Sequence, residues 1–283
     1  MGVQDAPAWL VPAFTRNVLE AGGTAPASDI RRTAEDLLER WTRPERHFHN
    51  LRHLVDVLAR VDELDEEAHH PDLVRLAAWY HGAVFDSAER KAYANQGGED
   101  EAASAVLARE QLTALGVPEA QVQRVAALVS ALVRHTPDPS DSDCAVLCDA
   151  DLAMLATEPQ RYKSYLQDVR AEYAHLPVED YVRARVRILH KLLARPSLFI
   201  SPLAQPWEEP ARQNVSAELQ RLEKEVAKLE AAAAERDAAE GTERTERTER
   251  TERTERTEGT GPAGVNGAAG VTGGTMNGST TGA

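Results

Sequence analysis

The sequence predicts an all-α fold, and two observations carry that expectation. Apolar residues recur at three- and four-residue spacing through nearly all of the first 230 positions, and no alternating strand pattern appears. The same stretch is rich in Ala, Leu, Val, Arg and Glu and poor in aromatics, a helix-forming composition with enough Leu and Val for one core. Helices are expected at 7–21, 28–42, 50–65, 71–84, 99–114, 119–134, 143–156, 159–174, 179–194 and 208–240. Turn-formers separate them, among them GGTAPAS, NQGG, GVPEA and TPDPSDSD.

The final helix carries Leu219, Leu222, Val226, Leu229 and Ala233 at alternating spacings of three and four, an a/d seam about two heptads long. Docking on its own domain and pairing in a homodimer both account for that seam. From Gly241 the chain is repeated Thr-Glu-Arg triplets followed by Gly, Thr, Ala, Asn and Ser. Residues 1–230 are therefore expected as one all-α domain, 231–240 as the end of its C-terminal helix, and 241–283 as a disordered low-complexity tail.

Charge and composition narrow the function. The net charge is -14, and the tail carries six Glu against five Arg, so about -13 lies on residues 1–240 with no basic stripe to offset it. Nucleic acid phosphates and anionic membranes are accordingly excluded as expected partners, whereas a divalent cation suits such a field. Cys144 and Cys148 lie one helical turn apart on an apolar segment and read as buried thiols. The N-terminus lacks a positively charged leader and no run of about 20 apolar residues occurs, so a cytoplasmic protein is expected.

Histidines and carboxylates punctuate three of the helices. His49 and His53 are four apart in RHFHNLRHL and share one helical face; His81 ends the apolar run Leu76-Ala-Ala-Trp-Tyr-His. Asp149 and Asp151 interrupt AVLCDADLAMLA, and about 200° of helical rotation separates them, so only one can enter a given pocket. A fold that gathers these residues builds a nitrogen-and-oxygen metal pocket in a helical bundle.

His53, His81 and Asp151, separated by 28 and 70 residues, resemble the scaffold of the HD superfamily of metal-dependent phosphohydrolases. In that superfamily a His, a His-Asp pair and a late Asp, often in an Ala-Asp dipeptide, bind a divalent metal; Ala150-Asp151 matches the last element and favours Asp151 over Asp149. RHFHNLRHL, AAWYHGAVFD, EAASA, CDADLAMLA, the Val169-Arg-Ala-Glu-Tyr stretch and ARQNVSAELQRL further resemble, in order, segments of a bacterial group of predicted HD phosphohydrolases. The resemblance implies an HD-like helical bundle that uses Mn, Fe, Co, Ni, Zn or Mg to hydrolyse a nucleotide or small phosphate ester.

The chain departs from the pattern at Gly82, where the His-Asp pair becomes His-Gly. Asp86 is the nearest possible substitute, four residues on and therefore on the same helical face, although the turn between them rises about 6 Å and an Asp reaches less than half of that. Restoring the pair by Gly82→Asp is expected to raise metal occupancy. His135 is a further candidate ligand or supporting residue, as are His49 and Asp149. Asp86 and Glu101 are candidates for orienting water or relaying its proton, and Arg46 and Arg52 for clamping phosphate. Two other readings stand beside the enzyme: a degenerate HD-fold regulatory or nucleotide-binding module, and a helical interaction protein.

Overall fold

The computed structural model describes residues 6–87 and 98–258. Among them are ten α-helices: α1 Leu10–Glu20, α2 Ala27–Trp41, α3 Leu51–Glu63, α4 Pro71–Tyr80, α5 Glu101–Ala114, α6 Glu119–Ala131, α7 Ser142–Leu152, α8 Pro159–Glu172, α9 Val178–Leu193 and α10 Glu208–Glu258. Three 3-10 turns, Asp65–Glu67, Ala153–Ala156 and Pro202–Trp207, join some of them. The all-α expectation holds. Among the described residues the extended pairing is a single antiparallel bridge between Phe85 and Glu99.

The helix α4 is the hub, because its sequence is apolar on nearly every side. Leu73, Val74 and every residue from Leu76 to Tyr80 are buried, and α1, α3, α5, α6 and α7 all pack against it. Each Leu-sized side chain enclosed in this way contributes about 1.5–3 kcal/mol. Around that hub α3 and α7 also touch each other, so α3, α4 and α7 form a three-helix contact. His53, His81 and Asp151 lie on or at the end of these helices.

Local chemistry sets the starts of these elements. Asn50 caps α3 by accepting from Arg52 N, Asp100 caps α5 by accepting from Ala103 N, and Asp141 caps α7 by accepting from Cys144 N. The buried stripe of α3 is Leu51, Leu54, Val57, Leu58 and Val61, with His53 inside it. α7 is enclosed all round, from Asp143 to Ala150, Cys144 and Cys148 included.

Two corrections follow. The fourth helix, expected to reach residue 84, stops at Tyr80, and the chain turns at His81 and Gly82. The chain also stays regular past Gly241: α10 continues to Glu258. The triplet repeat contains no proline, sets an acidic residue four positions ahead of a basic one, and costs only the about 1 kcal/mol of one helical glycine. Thr242, Thr245, Thr248 and Thr251 return their hydroxyls to the carbonyl four residues back. Residues 259–283 of the expected tail, and most of the NQGG turn, lie outside the described residues.

Contacts divide the chain into a unit of residues 1–229 and a second of 230–283. In the first, Leu219 and Leu222 of the a/d seam are buried in the unit's own core, beside Ala211 and Val215. Among the described residues no helix is long and apolar enough to cross a membrane.

Candidate metal centre

His53 comes from the buried face of α3, His81 from the residue that closes α4, and Asp151 from the last turn of α7. The packing of these three helices brings their side chains to one point. His53 Nε2 lies 3.2 Å from His81 Nε2 and 3.1 Å from Asp151 Oδ1, and His81 Nε2 lies 3.6 Å from the same oxygen. Trp41 and Phe48 wall the two rings, at centroid distances of 5.1 Å to His81 and 4.8 Å to His53 respectively.

The protonation pattern suits a ligand set. His81 Nδ1–H donates to Ala78 O at 2.6 Å, which leaves the Nε2 lone pair aimed at the other groups. Burial pulls the His81 pKa down and His53 adds to this, outweighing the pull of Asp151 and Glu99, so the ring is neutral. The Asp151 carboxyl is held well below the usual carboxylate range: burial opposes this, but hydrogen bonds from His135 and His53 win. His135 donates from Nε2 to Asp151 Oδ2 at 2.6 Å. It does so from a left-handed backbone, φ 46°, beyond the end of α6, where Arg195 grips the carbonyls of residues 134 and 135. A non-glycine residue held there stores about 1–3 kcal/mol of strain.

One member was not read from the sequence. Glu99 joins His53 and His81 in a group whose ligand atoms all lie within 4.8 Å of one another. Its Oε1 is 3.9 Å from His81 Nε2 and is buried with no hydrogen-bond partner among the described residues. Glu172, inside the quoted Val169-Arg-Ala-Glu-Tyr stretch but given no role, accepts from Phe48 N, His49 N and His49 Nδ1 at 2.7–2.8 Å.

The other candidates are placed differently. Burial lowers the His49 pKa, but Glu99 and Glu172 overcome it and push it up to about 9, so His49 is an imidazolium between two carboxylates and not a ligand with a free lone pair. Asp149 accepts from Ile200 N and Ser201 N, facing away from the histidines and organising the segment after α9. Arg46 is corrected as a phosphate clamp: its guanidinium is buried between Trp41 and Phe85 and donates to the carbonyls of His49, Gly82 and Ala83. The turn that follows α4 leaves the Gly82 and Ala83 carbonyls without helical partners, and Arg46 supplies the donors. Arg52 is exposed and lines a cleft with Phe48, His53, Met154, Arg161 and Tyr165. Glu101 opens α5, and its carboxyl is raised by burial and by the nearby Glu99 and Asp151. Asp86 donates its N–H to Gly98 O beside the Phe85–Glu99 bridge; with α4 ended at Tyr80, the helical-face argument that placed it near His81 no longer applies.

These donors fit a divalent cation. Four ligands at about 2.0–2.1 Å from a tetrahedral ion sit about 3.3 Å apart. The separations of 3.1, 3.2 and 3.6 Å among His53 Nε2, His81 Nε2 and Asp151 Oδ1 surround that value, and Glu99 Oε1 stands farther out at 3.9 Å from His81 Nε2. The facing nitrogens of His53 and His81 share at most one hydrogen, and the buried Glu99 oxygen beside them, with no hydrogen-bond partner among the described residues, is costly without a cation. The cleft beside His53 encloses only about 50 Å³. A larger one of about 620 Å³ runs along α1 and α2 and is lined by no histidine, so the chemistry points to the smaller.

No family model matches the sequence, and no curated protein matches it. Among solved structures, the phosphodiesterase domain of Salpingoeca rosetta rhodopsin phosphodiesterase is similar at 14% identity and a TM-score of 0.46, covering 83% of this chain and 93% of that one. The phosphodiesterase domain of the RhoPDE fusion protein from the same choanoflagellate gives 14% and 0.46, over 82% and 95%. A likeness of this degree carries no weight for the chemistry, which rests on the residues themselves.

Proposed function

We propose that this chain is a metal-dependent phosphohydrolase acting on a nucleotide or small phosphate ester. The observation that supports it is the convergence of His53, His81 and Asp151, from three different helices, on one point. His53 and His81 would hold the ion through Nε2 and Asp151 through Oδ1. A bound divalent cation supplies Lewis acidity, polarising a phosphoryl oxygen and easing deprotonation of water.

The chain's own groups do the rest. His135 keeps the Asp151 carboxylate ionised and oriented. Water would attack phosphorus as the P–O bond to the leaving group breaks, and Glu101, in the first turn of α5 two residues after Glu99, would take the proton from the water. Arg52 at the cleft meets the negative charge of the phosphate outside the centre.

The test is elemental analysis of protein purified without an affinity tag, paired with turnover of bis-p-nitrophenyl phosphate and p-nitrophenyl phosphate. Bound metal and activity, both lost in His53→Ala/His81→Ala, support the reading; a metal-free, inactive wild type that takes up no added Mn2+ or Zn2+ ends it. The narrowness of the cleft favours one alternative, a regulatory module without catalysis, which would bind metal and nucleotide and turn over neither ester.

A further inference from the structure

Gly82 is glycine for lack of room. Its φ lies outside the left-handed region, so backbone conformation does not demand glycine there. A Cβ built at Gly82 would lie 2.5 Å from Trp41 Cη2 and 2.6 Å from Glu99 Oε1. Trp41 cannot step aside cheaply: it is fully buried, and its indole N–H donates to Trp79 O at 3.0 Å. The space beside His81 into which a side chain at 82 would point is already filled, in part by a carboxylate oxygen.

That oxygen is delivered by a backbone pairing with the residues that follow Gly82. Phe85 and Glu99 form an antiparallel bridge, Asp86 N donates to Gly98 O and Asp100 N donates to Val84 O. Gly98 N is held by the Tyr173 hydroxyl at 2.8 Å, and Asp100 caps α5. Glu99 is therefore pinned at its backbone against the residues that follow His81. Its Oε2 faces the His49 ring at 3.8 Å, while Oε1 points to His81 with no hydrogen-bond partner among the described residues. A buried carboxylate oxygen left this way carries a desolvation cost that a cation removes.

We propose that Glu99 is the second carboxylate ligand of the centre, and that the missing side chain at Gly82 makes the room it occupies. The inference rests on the reading of His53, His81 and Asp151 as a metal site. It reverses the sequence-based expectation for Gly82→Asp: an added carboxylate there meets Glu99 and Trp41, and metal affinity falls.

The experiment uses the full chain, stripped of metal. Mn2+ and Zn2+ are titrated by calorimetry in separate series, and Co2+ is followed by its visible d–d absorption. The variants are Glu99→Gln, Gly82→Ala and His53→Ala/His81→Ala, each checked by circular dichroism and thermal melting. Glu99→Gln keeps the shape and removes the charge. It is expected to weaken Mn2+ binding by about 10–100-fold or more and to alter the Co2+ spectrum, with helicity retained. Gly82→Ala, which displaces Glu99 without touching a titratable group, is expected to weaken binding in the same direction.

Unchanged Mn2+ and Zn2+ affinity and an unchanged Co2+ spectrum in Glu99→Gln, with binding lost in the double histidine variant, would overturn the role of Glu99 and leave the centre standing. A wild type that binds none of the three ions would overturn both. Should Gly82→Ala fail to fold, Glu99→Gln alone decides.

Discussion

Two clusters of buried charge lie in the helical unit of residues 1–229, and only one of them is closed. In the first, Arg185 gives two hydrogen bonds to Glu218, at 2.8 and 3.1 Å, and a third to the Tyr165 hydroxyl, while Tyr162 donates to Glu218 at 2.6 Å. One cation meets one anion, and the carboxylate oxygens are satisfied. In the second, His53, His81 and Asp151 meet within 3.6 Å, and beside them Glu99 Oε1 has no hydrogen-bond partner among the described residues. A closed cluster can be explained by packing alone. An open one, with a buried carboxylate oxygen left unsatisfied, asks for a ligand.

Breaking the closed cluster should cost the most. Glu218→Ala leaves Arg185 buried and unpaired, and is expected to destabilise the fold by about 3–5 kcal/mol in urea unfolding, whereas the paired replacement Arg185→Met/Glu218→Leu costs far less. Metal uptake per folded molecule should be unaffected by either. Removing a member of the open cluster should do the reverse. His53→Ala is expected to lower Mn2+ affinity more than about 100-fold, or about 2.7 kcal/mol, while the melting temperature of the metal-free protein moves much less. Equal loss of stability and metal binding in both variants would erase the distinction between the clusters.

His135→Gly separates strain from service. Glycine accepts φ 46° at no steric cost, so stability should hold or rise by about 1 kcal/mol, yet Asp151 loses its 2.6 Å partner and metal affinity should fall about 10-fold. Calorimetric titration together with thermal melting gives both numbers from one preparation.

The smallest effect concerns a third group of charges, Asp143 with Arg124 and His70. Burial raises the Asp143 pKa, but the bonds from His70 and Arg124 outweigh it and depress the carboxyl. A depressed acid lends stability above its unfolded pKa of about 3.9 and loses it as pH falls through the lower folded value. Below about pH 4 the wild type should therefore lose melting temperature more steeply than Asp143→Asn, by only a few degrees because Arg124 is partly exposed. Parallel melting curves for the two proteins between pH 2.5 and 6 would remove this contribution.

What could be read from the chain follows the reach of helical periodicity. The apolar spacing located all ten helices, and the about 200° between Asp149 and Asp151 implied that they part company, one to the histidines and one to the backbone of Ile200 and Ser201. Glu99 was beyond that reach. It meets His81 through a bridge closed across an intervening segment, a relation no helical spacing encodes, and Glu172 reaches His49 from more than 120 positions away. Arg46 looked like a phosphate ligand because its burial depends on where α4 stops, and that end lay four residues earlier than the spacing suggested. Gly82 announced itself as a departure, but the reason for it, the edge of Trp41 and the tip of Glu99, exists only in three dimensions.

The bridge between Phe85 and Glu99 fixes the height of the carboxylate through main-chain atoms, since Asp86 N donates to Gly98 O and Asp100 N donates to Val84 O. Bonds of that kind are indifferent to which side chain the paired residue carries. A lineage carrying this protein can therefore exchange the side chain at Val84 and still inherit the place of the Glu99 backbone.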